Sequence, residues 1–147
     1  MANFVFNVAL GIWGYYAGLP ATNDALIMIP IESSGVESDA TLKDKDTFAD
    51  VVSGATNEQT TLGRKTLGSI TNTVNDTSDK RILDCADVTW TSTAGNAVSD
   101  VVVCYDPDTT GGTDADLIPL FLFDCSFTPD GTDFTAVINA AGLAEAV

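Results

Sequence analysis

The chain has 147 residues and a mass of 15.3 kDa, with 45% hydrophobic and 18% charged side chains and 6 Lys and Arg against 21 Asp and Glu. That length suits one domain over residues 1–147, burying about 68–70% of the surface its unfolded form exposes, and the apolar content excludes wholesale disorder. A net charge of −15 repels phosphate, which sets nucleic acid and anionic membranes aside as partners and leaves cations or other protein surfaces.

Residues 1–33 read as an N-terminal arm followed by strands. In NFVFNVALG, Phe4, Phe6, Val8 and Leu10 fall on one side at period two, the pattern of a half-buried strand. The stretch IWGYYAGLPATND carries Gly11, Gly14, Gly18 and Pro20 among aromatics, which predicts an irregular arm with room for one helical turn. No positive n-region or small-residue cleavage site marks the start as a signal peptide. The apolar run LIPLFLF is shorter than the roughly 20 residues of a membrane span. The expectation is a soluble chain, made and used without crossing a membrane. The run ALIMIPIESSG predicts a strand covered on both faces, and Pro30, which has no N–H, places it at an edge or a bulge.

Residues 34–62 are polar and small, and read as a mobile loop. Within them DTFADVVSG predicts one short helix, with Asp46 as N-cap and Gly54 as its stop. Residues 63–147 alternate strand and turn: RKTLGSITNTV, the turn NDTSD, KRILDCADVTWT, the turn STAGNA, then VSDVVVCYD. An Asp- and Gly-rich loop leads on to DLIPLFLFDCSF, and TPDG orders Pro129, Asp130 and Gly131 as a type I turn with a left-handed glycine wants. Strands at this spacing make the fold mainly β, an antiparallel β-sandwich or barrel-like domain with an N-terminal arm and one or two short helices.

The loop YDPDTTGGTDADL is the strongest chemical signal. Asp106, Asp108, Thr110 and Gly111 fit the first half of a calcium-binding EF-hand loop, but its twelfth position is Leu117, which supplies no oxygen, and its flanks read as strands. A looser calcium site from Asp106, Asp108, Asp114 and Asp116 is weighed against a plain hairpin tip, since turns recruit Asp and Gly in any case. Without histidine there is no Ser–His or Cys–His pair, and TTGGTD lacks the lysine of a phosphate loop. Carboxylate pairs such as Asp84 with Asp87 arise freely at strand ends, so neither an enzyme nor a cofactor is expected. The odd set Cys85, Cys104 and Cys125 reads as small buried hydrophobes. Trp90 reads as core. Trp13, Tyr15 and Tyr16, with Phe4 and Phe6, form the candidate docking segment, an arm separable from the rest of the fold.

Four stretches carry a resemblance: MANFVFNVALG, EQTTLGRKTL, VNDTSDKRILDCADVTW and TPDGTDFTAVINAAGL. They resemble small virion structural proteins of tailed bacteriophages, covering both ends and most of the second half of the chain. Proteins of this kind look like accessory head proteins that decorate or cement the capsid. The resemblance implies the major capsid protein and further copies of the chain (a dimer or trimer) as partners. It implies the capsid surface as the location, after assembly in the host cytoplasm, and no catalytic residues. A tail or head–tail connector protein is the neighbouring alternative. A calcium-dependent or carbohydrate-binding surface module built on the Asp106–Asp116 loop is the alternative from another class.

Overall fold

A computed structural model describes residues 2–146. The fold is mainly β and antiparallel, centred on a five-stranded sheet in the order β1-β8-β7-β2-β3. Its members are β1 (Phe4–Val5), β2 (Ala25–Glu32), β3 (Lys65–Thr66), β7 (Val98–Asp106) and β8 (Ile118–Phe127). A three-stranded sheet, β10-β5-β4, combines β4 (Thr71–Asn75), β5 (Lys80–Asp84) and β10 (Ala144–Ala146). A third sheet pairs β6 (Val88–Trp90) with β9 (Phe134–Ala136). Three short helices complete the fold: α1 (Trp13–Tyr16), α2 (Asp39–Lys43) and α3 (Phe48–Val51).

The large sheet is covered on both faces, as the continuous apolar runs require. Leu26, Met28, Val101 and Val103 face the two smaller sheets, meeting Leu83, Cys85, Val88 and Trp90 in one core. The intervening Ile27, Ile29, Ile31, Val102 and Cys104 face the other way, against Leu42, Phe48 and Val51 of the helices. The result is a β-sandwich with a second, helical cover. Pro30 stands where its missing N–H is harmless. Its carbonyl accepts from Gln59 N at 2.9 Å, on the side away from β7 and beyond the reach of the two-residue β3.

The arm differs from expectation. The strand beginning at Phe4 ends at Val5, and residues Asn7–Ala9 form a tight 3-10 turn before Gly11 reverses the chain at φ 80°. Phe6 joins the helical core while Ala9 and Trp13 join the core on the opposite face. The segment therefore straps over the edge of the large sheet, and burial on both faces wins over a period-two strand. Leu10, assigned to the buried side of that strand, is 66% exposed.

Residues 34–62 are likewise fastened. Leu42, Phe48 and Val51 are completely buried, and the backbone of Asn57 and Gln59 bonds to Glu32 and Pro30. Two helices form here, where one was expected. The cap of α3 is Thr47, not Asp46. Thr47 Oγ1 accepts from Asp50 N while Asp50 Oδ2 accepts from Thr47 N, both at 3.2 Å. That reciprocal pair satisfies two orphan donors, which a single Asp46 cannot do. Val52 closes the helix, so Gly54 is not its stop. The 64–74 segment is broken into β3 and β4 by Ser69, which adopts φ 54°.

Candidate functional site

The acidic loop joins β7 to β8, and its carboxylates fold the loop itself. Asp106 Oδ1 accepts from Asp108 N at 3.0 Å, and Asp108 Oδ1 accepts from Thr110 N at 3.0 Å and Thr110 Oγ1 at 2.6 Å. Asp116 Oδ2 accepts from the amide and hydroxyl of Thr113 at 2.8 and 2.9 Å. These bonds to the charged form, those from Thr110 above all, hold the Asp108 carboxyl below its ordinary range. Asp114 turns elsewhere, to Arg64 Nη2 at 2.8 Å. Among the described residues no three carboxylates or thiols converge as a metal site. The four aspartates proposed as calcium ligands are thus distributed between turn bonds and an ion pair.

Arg64 is the hub that holds the loop down. It also binds Glu58 through Nε and Nη2, and its guanidinium lies 5.1 Å from the centre of the Phe48 ring. Those carboxylate bonds, led by Glu58, raise its pKa further above the normal arginine value. Other carboxylate pairs also serve structure: Asp84 Oδ1 accepts from Cys85 N, and Asp87 Oδ1 accepts from Ile138 N. All three thiols are free, with Cys85 and Cys104 buried and Cys125 half-buried. Burial pushes Cys85 and Cys125 up to about 11, which keeps them protonated and unreactive at neutral pH.

The docking segment divides on burial. Phe6 and Trp13 are spent on the chain's own cores, with Trp13 edge-on to Phe121 at 5.5 Å. Buried as they are, neither is a surface anchor. Phe4 and Tyr16 are half-buried: Phe4 lies under Lys43 Nζ at 5.1 Å, and Tyr16 packs on Tyr105. Tyr15 alone of the five projects outward, 67% exposed.

Residues not singled out from the sequence join it. Leu10, Ile12, Tyr15 and Val74 are four of the five large hydrophobic side chains left exposed among the described residues. Ile12, Tyr15 and Val74 line one open groove of about 940 Å3 between α1 and the β4–β5 hairpin, with Lys80 and Arg81 at its wall. The groove is built by close approach: Asn72 Nδ2 donates to Gly14 O at 2.6 Å, and Arg81 Nη1 donates to Asn72 Oδ1 at 3.1 Å. A Cβ on Gly14 would stand 2.5 Å from Arg81 Cδ, so only glycine lets the arginine lie across the helix. The sequence signal was slight. Leu10 and Ile12 flank a glycine at a chain reversal, where an apolar side chain has no strand face to occupy.

Compared with known proteins, the chain matches no family model, no curated protein and no solved structure.

Proposed function

We propose that this chain is a non-enzymatic structural protein of a tailed-phage virion, a decoration or cement protein that binds the outside of the capsid lattice. The observation that carries the reading is the set of exposed apolar side chains Ile12, Tyr15 and Val74 gathered along one groove of an otherwise strongly acidic molecule. Exposed hydrophobic side chains gathered beside a groove, with a tyrosine among them, are the features of a protein-binding surface. The sheet behind them is covered on both faces, so the surface is held in place before binding and little ordering entropy is lost.

Such a module acts by mass action. Where it binds one state of a coat lattice in preference to another, each occupied site lowers the free energy of that state. The acidic remainder of the surface then faces outward and keeps decorated particles apart.

The test is binding of the purified chain to capsids lacking it, read by co-sedimentation and by cryo-electron microscopy. Density over the shell, lost with Tyr15→Ala plus Ile12→Ala, is the expected result. Density confined to the tail, or no association with particles, overturns the reading.

A further inference from the structure

The three-stranded sheet ends at β4, whose only strand partner among the described residues is β5. Its outer edge therefore presents a row of backbone N–H and C=O groups with no strand opposite. Natural proteins blunt such edges with lysine, proline, bulges or short length. The other edges here are short or charged: β1 and β3 are two residues long, β6 and β9 are three, and the three-residue β10 carries Glu145. By contrast β4 runs for five residues, reads TNTVN without charge or proline, and keeps an unbroken register with β5. An edge of this kind is built to be covered.

We propose that β4 pairs with β4 of a second copy of this chain, antiparallel about a two-fold axis at Thr73, joining two three-stranded sheets into one. Charge permits a copy at this place, and the strand is self-complementary there, Thr73 meeting Thr73. Two chains of net charge −15 repel wherever acidic surfaces meet, but β4 has no charged residue along its length. Pairing centred on Thr73 also sends the two hairpin tips, which carry Asp76 and Asp79, to opposite ends of the seam. The two Asp76 positions then lie roughly 20 Å apart at strand rise, well beyond the screening length of about 8 Å at physiological salt. In this register Val74 of each copy sits opposite Asn72 of the other. Both residues line the groove, so the exposed valine is covered at the wall of its partner's groove. A two-fold contact uses the edge completely and closes the assembly at two chains.

The inference shares Val74 with the surface proposed for capsid binding, but its test uses the purified chain alone and so fails or succeeds independently of that reading. Light scattering after size exclusion, from about 1 µM to about 1 mM, should show the mass rising from one chain of 15.3 kDa towards two. Thr73→Lys sets two like charges face to face at the axis and should hold the mass at one chain, with the wild-type melting temperature kept when both are compared at about 1 µM, where the wild type is one chain. Val74→Lys reads the same seam should the first variant fold poorly. Val137→Lys, at an exposed hydrophobe that lies outside β4 and its groove, should leave dimerisation intact. A single-chain mass across the whole range overturns the proposal, as does a dimer that both β4 variants leave undisturbed.

Discussion

Arg64 grips Glu58 through two parallel hydrogen bonds, Nε to Oε1 at 2.9 Å and Nη2 to Oε2 at 2.6 Å, while the same Nη2 reaches Asp114 Oδ1 at 2.8 Å. One cation thus fastens the segment beside β2 to the acidic loop, above the ring of Phe48. A bidentate pair of this kind is stronger than a lone surface ion pair, although Arg64 and Asp114 remain about a third exposed. Arg64→Ala leaves two carboxylates facing each other and should cost roughly 1–3 kcal/mol. Arg64→Lys should recover only part, because a single ammonium lacks the planar fork that gives Glu58 two parallel donors while also reaching Asp114. Thermal unfolding of the two variants checks this, and an unchanged melting temperature in Arg64→Ala contradicts it.

Thr47 and Asp50 cap α3 reciprocally, whereas Asp46 precedes the cap. Thr47→Ala should therefore lose about 1 kcal/mol, and Asp46→Ala almost nothing. Equal losses at both positions would mean that the cap is shared.

How far the sequence foretold the molecule can be judged from such positions. β2, β7 and β8 were legible because each is a long apolar run, and only strands buried on both faces need side chains apolar at every position. Trp90 was legible as core, and Gly131 takes the left-handed conformation that its turn anticipates. The strap was not, because Phe6 and Trp13 lie on opposite faces of a sheet whose edge strand is only Phe4–Val5. Nothing local encodes that crossing. The Glu58–Arg64–Asp114 clasp and the Val74–Tyr15 groove bring together residues distant in the chain, and local patterning carries no information about which distant residues meet.

Asp100 is a buried carboxylate whose Oδ2 accepts from Ser99 Oγ at 2.5 Å while Oδ1 finds no hydrogen-bond partner among the described residues. Burial raises its pKa, the Ser99 bond opposes the shift, and the charges of Asp124 and Asp39 add to it. A carboxyl whose folded pKa lies above its unfolded value binds its proton more tightly in the fold. Its favourable contribution is complete below the unfolded value and is lost as pH rises through the folded one. Asp100→Asn should therefore stabilise the protein at neutral pH, with the gain shrinking as pH falls through the acid range. Urea titrations at several pH values provide the measurement, and a gain independent of pH contradicts it.

Asp108 and Asp130 behave in the opposite sense, since each carboxylate is held by a threonine two residues on, Thr110 and Thr132. Side-chain and backbone bonds from those threonines lower both pKa values. That support is present above the unfolded carboxyl range and is lost as pH falls through the depressed folded values. In the acidic loop, one oxygen each of Asp106, Asp108 and Asp116 is committed to a turn bond, and Asp114 is paired with Arg64. Added calcium or chelator should leave the melting temperature unmoved at neutral pH, and a calcium-dependent rise would restore the loop as a metal site.

The arm offers the sharpest separation of structure from binding. Phe6 and Trp13 fill opposite cores, so Phe6→Ala or Trp13→Ala should each cost about 3–5 kcal/mol. Tyr15, two residues beyond Trp13 and mostly in solvent, should cost less than about 0.5 kcal/mol on truncation to Ala. Removing residues 1–18 deletes Phe6, Ala9, Trp13 and Ala17 from the cores together, so the expectation of a separable arm gives way to one of global unfolding. Circular dichroism of the truncated chain should show no cooperative transition. Tyr15→Ala should keep the native transition and lose affinity for particles, and a truncated chain that still melts cooperatively would return the arm to the role of a detachable tether.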